Sequence, residues 1–160
     1  MRSSPIYMPP WLISVRAAVF EGAMSGIPSI GFSLLNYSPD ADFSHCGKYV
    51  REITQRVLKD GLPEGICLNV NIPDVAEEKI RGVRICRQAG GTWEEDFDER
   101  IDPVGNMYYW LKGVFVRMGN GEDTDESALE NNYVAVVPVQ FDFTAHSVIP
   151  LLKSYEQDIQ

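Results

Sequence analysis

Residues 134–146 read VAVVPVQFDFTAH, and the stretch is mostly apolar up to Phe141. A short apolar run that does not alternate with polar residues indicates a strand that is buried on both faces. Pro138 lies inside this run and has no N–H to donate to a neighbouring strand. We therefore expect the strand to lie at the edge of a sheet or to carry a bulge.

An acid and a histidine follow this strand. Asp142 and His146 are four residues apart, and His146 is one of only two histidines in the chain. Such a pair either does chemistry at the end of the strand or forms a hydrogen bond that shapes the corner where the chain leaves the sheet. A catalytic triad also needs a nucleophile, and the sequence has no GxSxG segment of the kind that presents a serine. The structural corner is therefore the favoured interpretation.

Helices and strands alternate in the first half of the chain. The spacing of apolar residues predicts helices at 14–25 and 43–59 and strands at 28–35 and 66–73. Such alternation with short connections is typical of a layered α/β sheet. Small residues in the first helix would let it pack closely on that sheet.

A long β-hairpin interrupts this alternation. After a half-exposed strand at 82–88, segments 92–101 and 106–113 flank the turn-forming residues DPVG. A two-stranded hairpin is marginal in water unless it packs on something, and its aromatic residues indicate another subunit. We call this hairpin the arm. Its candidate contact residues are Trp93 and Phe97 on one face of the first strand, and Tyr108 and Trp110 on one face of the second.

Two acidic segments resemble metal sites but have simpler interpretations. The acids of the first strand of the arm alternate between opposite faces in an extended chain, which favours a solvated surface over a cation site. Asp123 is followed three residues later by Glu126, just before the apolar residues Ala128 and Leu129, which is the pattern of a helix cap. The acids of the arm are Glu94, Glu95, Asp96, Asp98, Glu99 and Asp102.

The C-terminal tail, from Ser147 onwards, predicts a last helix. Pro150 fits only in the first turn of such a helix, and Ser147 is a suitable cap.

The composition fits a single globular domain. The chain has 160 residues, of which 44% are hydrophobic and 23% charged, and its net charge is −9. An acidic chain is a poor partner for the phosphate backbone of a nucleic-acid polymer. No stretch is long and apolar enough to predict a membrane span.

The cysteines and the second histidine predict no site. The spacing of Cys46, Cys67 and Cys86 resembles no zinc or redox motif, so we expect free buried thiols in a reducing compartment, the cytoplasm. His45 has no other histidine nearby and is expected to be packed or half exposed. The glycines form no dinucleotide-binding or P-loop motif.

Six segments in series resemble the survival protein SurE family of metal-dependent nucleotidases. They occur in the family's order and with similar spacing, and the resemblance runs from about residue 17 to the end. The segments are FEGAMSGIPSIGFSL (20–34), LNVNIPD (68–74), IRGVRICR (80–87), DPVGNMYYWLKG (102–113), DTDESAL (123–129) and YVAVVPVQFDFTAH (133–146).

The resemblance implies a Rossmann-like layered sheet and an enzyme that hydrolyses nucleoside monophosphates to nucleosides and phosphate. It also implies a divalent cation, magnesium or manganese, and a homodimer or homotetramer that exchanges the arm and the C-terminal helix. Asp142 and His146 match the family's DxTAH segment beside the hinge of that helix. Trp93, Phe97, Tyr108 and Trp110 then belong to an intersubunit arm.

The start of the chain departs from the family pattern. The family's cation is held by an Asp-Asp pair and an SGxN segment that precede the resembling region, and neither occurs in this sequence. We therefore expect a chain without the metal-binding N-terminal segment, inactive alone, with no catalytic or metal residue to assign. The alternative is a non-catalytic oligomerisation or binding module. The expected divisions are a divergent start (1–15), the core (16–91), the arm (92–113) and the final strand, hinge and helix (114–160).

Overall fold

The computed structural model describes residues 10–36, 38–118 and 121–158. A 3₁₀ turn at Glu77–Lys79 follows the second strand. The remaining elements, in chain order, are α1 (Pro10–Met24), β1 (Ser29–Leu34), α2 (Cys46–Asp60), β2 (Ile66–Ile72), β3 (Gly82–Ile85), β4 (Gly91–Ile101), β5 (Met107–Arg117), α3 (Asp125–Glu130), β6 (Tyr133–Gln140), α4 (Ile149–Leu152) and α5 (Tyr155–Asp158).

Four strands form one mixed sheet in the order β1-β2-β6-β3. β1 runs parallel to β2, and β6 runs antiparallel to β2 and parallel to β3. Helix α2 connects the two parallel neighbours β1 and β2, which makes a β-α-β unit. The α/β class expected from the alternation of helices and strands is confirmed.

Strand β6 is buried on both faces, as its sequence predicts. Val134 and Val136 belong to an apolar cluster on the α2 side of the sheet, together with Val70 and Ile72 of β2. Ala135 and Val137 belong to a second cluster, on the side of α3, with Cys86 and Ala128. Successive residues of a strand point to opposite faces, so one strand can contribute to two cores.

The expectation that this strand lies at the edge of the sheet is wrong. β6 lies between β2 and β3, so it is an inner strand over Tyr133–Val136. Its ladder with β3 stops at Val136, whereas its ladder with β2 continues past Pro138, which pairs with Leu68. Pro138 therefore lies where the strand has one neighbour rather than two, and this position tolerates the missing N–H.

Small residues do allow close packing of α1, as expected. A methyl group added at Gly22 would overlap the hydroxyl of Ser29 at the start of β1. Helix α2 is amphipathic, with Tyr49 and Val57 buried against the sheet, and it ends at Gly61. The N–H of Gly61 donates to the Val57 carbonyl oxygen at a positive φ of 75°, a conformation that favours glycine.

The arm is a separate two-stranded sheet made of β4 and β5. It spans residues 91–117, which is longer than the expected 92–113, and it leaves the core directly after β3 and returns before α3. Strand β3 is shorter than the expected strand at 82–88, because its regular pairing with β6 ends at Ile85. Beyond it, Arg87 makes only an isolated bridge with Thr124.

The expectation of one C-terminal helix with Ser147 as its cap is wrong. The tail forms two single-turn helices, α4 and α5, and Val148 is the N-cap of the first without a side-chain cap. Pro150 lies in the first turn of α4, as expected. Large apolar side chains of the tail are exposed, so the tail has little tertiary packing to lengthen its helices; they are Ile149, Leu151, Leu152 and Tyr155.

Residues 1–9, which hold most of the expected divergent start, lie outside the described part of the chain. Among the described helices, none has both the length and the apolar character that a membrane span requires.

Candidate functional site

The corner after β6 is built around Asp142. Its Oδ2 lies 2.7 Å from Nε2 of His146, and its Oδ1 accepts a hydrogen bond of 2.8 Å from the backbone N–H of Thr144. The N–H of His146 in turn donates to the Thr144 carbonyl oxygen. One carboxylate therefore holds both ends of a tight turn, and the expected acid–imidazole contact is present.

The hydrogen bonds at this corner lower the pKa of Asp142 well below its usual range. The Thr144 hydroxyl is the largest cause, followed by the His146 side chain and the Thr144 N–H. These donors stabilise the charged carboxylate more than the neutral acid. The carboxylate is therefore ionised at neutral pH and remains available to organise the turn.

Both side chains of this pair are largely exposed to solvent. The side chains of His146 and Asp142 are 68% and 49% exposed. Catalytic acid–base pairs work best where water is excluded, because electrostatic interactions are stronger there. These two residues, called the corner pair below, form a solvent-exposed contact beside the C-terminal tail.

The loop before α3 ties the base of the arm to the core. Thr124, only 6% exposed, is the N-cap of α3, and its hydroxyl oxygen accepts a hydrogen bond from the Ser127 N–H. The expectation that Asp123 is the cap is therefore wrong. Asp123 instead pairs with Arg87 at 2.8 Å, and Asp125 accepts a hydrogen bond from the Ala89 N–H.

Sequence reasoning missed these cross-loop contacts because their partners lie 36 residues apart. The signal that was available is the Thr-x-x-Ser spacing at 124–127, which fits a cap as well as the Asp-x-x-Glu spacing at 123–126.

The register of the arm separates its residues into two faces. Phe97 pairs with Leu111, and Asp98 with Trp110, so odd-numbered positions share one face and even-numbered positions the other. We call these the odd face and the even face. Trp93 and Phe97 occupy odd positions whereas Tyr108 and Trp110 occupy even ones, so these four candidate contact residues do not form one surface. The side chain of Trp93 lies outside the described part of the structure.

The acids of the arm are divided in the same way. Asp96 and Asp98 lie on the even face, where both contact Lys112, and Arg100 contacts Asp98. Asp102 instead organises the turn, because its carboxylate accepts hydrogen bonds from the backbone of Val104 and from Asn106. The expected alternation of these acids between two faces is confirmed.

The described residues do not fit a divalent cation. Among residues 10–36, 38–118 and 121–158, the structure brings together no group of three or more His, Cys, Asp and Glu side chains able to hold a metal ion. A magnesium or manganese site needs several oxygen ligands converging on one point. No catalytic step through a cation is derived from these residues.

The cysteines and His45 do not form a reactive site. Cys46, Cys67 and Cys86 are free and buried, as expected, and burial is the main reason that their thiol pKa values are raised. A raised pKa keeps the thiol protonated and unreactive. His45 is half-buried just before α2, and its Nε2 has no hydrogen-bond partner among the described residues.

An open cavity of about 510 Å³ lies at the base of the arm. Arg87, Gly90 and Met118 line it on the side of the arm, and Ser127 and Asn131 line it on the side of α3.

The comparisons with known proteins agree on one family. The model of the family described as "Survival protein SurE" matches residues 14–95. The 5′-nucleotidase SurE of Christiangramia forsetii is 55% identical over 139 residues, which cover 87% of this chain and 54% of that relative. The 5′-nucleotidase SurE of Flavobacterium psychrophilum is 51% identical over 140 residues, which cover 88% of this chain and 54% of that relative.

A solved structure agrees as well. The SurE protein from Aquifex aeolicus superposes with a TM-score of 0.69 at 35% identity, over 88% of this chain and 56% of that one. The chain thus spans about half the length of the curated relatives that it matches.

Proposed function

Because this chain belongs to the survival protein SurE family, we propose that it is part of a 5′-nucleotidase. The reaction is the hydrolysis of nucleoside 5′-monophosphates to nucleoside and phosphate, assisted by magnesium or manganese. The observation that carries this proposal is the 55% identity to a curated 5′-nucleotidase over 87% of the chain. The resemblance of the fold to a solved SurE protein supports it.

The described residues contribute structure rather than cation ligands in this proposal. They supply the mixed sheet, the arm and the corner pair, but no group that fits a divalent ion. Phosphate-ester hydrolysis in this family would use the cation to offset charge on the phosphoryl oxygens. The 160 residues expressed by themselves are therefore expected to be inactive.

The proposal includes a homodimer or homotetramer held by the arm and the C-terminal tail. Both segments expose large apolar side chains, among them Phe97, Tyr109 and Leu151. Apolar surface of this kind marks protein contacts. The corner pair lies between β6 and the exposed tail, where the proposed hinge of an exchanged segment would be.

A second candidate is a non-catalytic oligomerisation or binding module. It is favoured by the combination of an exposed arm and the lack of a cation-binding group among the described residues. The two candidates differ in whether these residues can work inside an active nucleotidase.

The place of action in this proposal is the cytoplasm. Three free buried thiols support a reducing compartment.

A chimera tests the proposed function directly. Residues 17–160 replace the matching segment of the Christiangramia forsetii 5′-nucleotidase SurE, and phosphate release from a nucleoside 5′-monophosphate is measured with manganese. The parent enzyme, assayed in parallel, is the control. We expect activity within about tenfold of the parent, because most substitutions between relatives at this identity are tolerated. A chimera that folds and assembles like the parent but releases no phosphate would favour the non-catalytic module.

A further inference from the structure

The arm is joined to the core by hydrogen bonds rather than by packing. Strands β4 and β5 pack on each other, and neither has more than marginal contact with a described strand or helix of the core. At the root of the arm, the open cavity of about 510 Å³ has Gly90 and Met118 on one side and Ser127 of α3 on the other. The direction of the arm therefore depends on how the chain is held where it leaves the core.

Two sets of main-chain hydrogen bonds approach each other at this root. The main-chain pairing of the core ends at Arg87, whose N–H and carbonyl oxygen both bond to the main chain of the loop before α3. The pairing of the arm begins at Gly90, whose carbonyl oxygen accepts from the Met118 N–H at 2.9 Å. Only Gln88 and Ala89 lie between the two sets, so these two residues decide whether the arm is held or free.

The side chain of Asp125 connects the two sets. In a parallel ladder the next donor after Arg87 is the N–H of Ala89, and its acceptor would be the main-chain carbonyl oxygen of Asp125. That carbonyl is directed along the axis of α3 instead, because Asp125 is the first residue of the helix. The Asp125 Oδ1 takes its place and accepts a hydrogen bond of 2.8 Å from the Ala89 N–H.

The Asp125 carboxylate is itself held in position. Asp125 is half-buried, and its Oδ1 also accepts from the Glu126 N–H at 2.9 Å. Helix α3 is anchored on the sheet, because Ala128 is fully buried in the apolar cluster that contains Ala135 and Val137 of β6. A side chain at the start of a packed helix therefore fixes the first residues of the arm relative to the core.

We propose that Asp125 is a positioning residue that sets the direction of the arm relative to the core. It acts through the Ala89 N–H, one residue before the pairing of the arm begins. The inference concerns a single chain and does not depend on the proposed function. An arm of fixed direction loses less conformational freedom on contact with a partner than a freely moving arm does.

Residual dipolar couplings of the backbone N–H groups test this role, because they report how two parts of one molecule are oriented. In the 160-residue wild-type chain, the couplings of the arm and of the core should fit one alignment tensor of equal magnitude. Asp125→Ala removes the acceptor and frees the arm. The magnitude fitted to the arm should then fall by about a third or more, because internal motion averages the couplings, whereas that of the core is unchanged.

Two matched variants separate this role from a general loss of stability. Asp125→Asn keeps a side-chain oxygen that can accept from Ala89, so its arm should fit the tensor of the core. Asp123→Ala removes the exposed ion pair with Arg87 but leaves the Asp125 contact, so its arm should also remain aligned. A variant that only lowered stability would shift the unfolding transition without changing the alignment of the arm.

Removing the donor is the complementary experiment. Ala89→Pro lacks the N–H, leaves α3 unchanged and should free the arm in the same way, so it decides the question if Asp125→Ala does not fold. The inference is overturned if the wild-type arm and core need two tensors, or if a folded Asp125→Ala or Ala89→Pro chain keeps its arm aligned. It is also overturned if Asp125→Asn or Asp123→Ala frees the arm as much as Asp125→Ala does.

Discussion

At the scale of single residues, the corner pair shows what spacing can and cannot predict. The four-residue spacing of Asp142 and His146 was enough to predict their contact. The spacing did not indicate that Thr144, which lies between them, is the largest cause of the lowered pKa of Asp142. The Thr144 contribution depends on the turn geometry, which brings the Thr144 N–H within 2.8 Å of the Asp142 Oδ1.

The larger effect of Thr144 than of His146 on the pKa of Asp142 gives a pH-dependent prediction. The pKa of Asp142 is lower in the folded chain than its unfolded-state value of about 3.9. The stability that the carboxylate gives to the corner is therefore fully present above about pH 3.9, and it is lost as the pH falls through the folded-state pKa. In an NMR titration the Thr144 amide should report that folded pKa. Thr144→Ala should move the midpoint upwards more than His146→Ala does. A larger effect of His146→Ala would contradict the assignment.

The helix cap before α3 gives a second prediction at this scale. Thr124→Ala should lower the free energy of unfolding by about 1 kcal/mol, because the variant lacks the hydroxyl that accepts from Ser127 and donates to the Gly121 carbonyl. Asp123→Ala is the matched neighbour and should have a smaller effect, since its ion pair with Arg87 is exposed. Urea unfolding of both variants measures the difference. An equal or larger loss of stability in Asp123→Ala would indicate that Asp123, rather than Thr124, caps α3.

At the scale of elements, local pattern predicted the type of most helices and strands, and non-local pairing decided the rest. The amphipathic stripe of α2 and the apolar run of β6 are properties of short windows of sequence. The inner position of β6 depends on β3, which precedes it by the whole arm, and no short window contains that information. The C-terminal helix was overestimated because helices need packing to extend, and the described tail has exposed apolar side chains instead.

The contact of α1 with β1 provides a prediction about coupling between two residues. Gly22→Ala should stabilise the wild-type chain less than helix propensity alone implies, because the new methyl group displaces the Ser29 hydroxyl, which donates to the Ile27 carbonyl. In a Ser29→Ala background the same substitution should stabilise by up to about 1 kcal/mol, because alanine favours helix over glycine. Thermal or urea unfolding of the four variants gives the coupling energy. Equal effects of Gly22→Ala in both backgrounds would show that the contact is not tight.

At the scale of the whole molecule, family membership could be predicted because six ordered motifs are distributed along the chain. Which face of the arm carries which residue could not be, since register depends on how the two strands are aligned across the turn. The cation site could not be placed in this sequence, because its expected ligands precede the region that resembles the family. The described residues form no other group able to hold a metal ion.

The most direct test of this account is phosphate release by the 160-residue chain itself. The purified chain is incubated with a nucleoside 5′-monophosphate and manganese, beside the chimera that carries residues 17–160 in a complete relative. We predict phosphate release by the chimera and none above background by the chain alone, because hydrolysis requires a cation that the described residues do not fit. Manganese-dependent turnover by the chain alone would contradict the account.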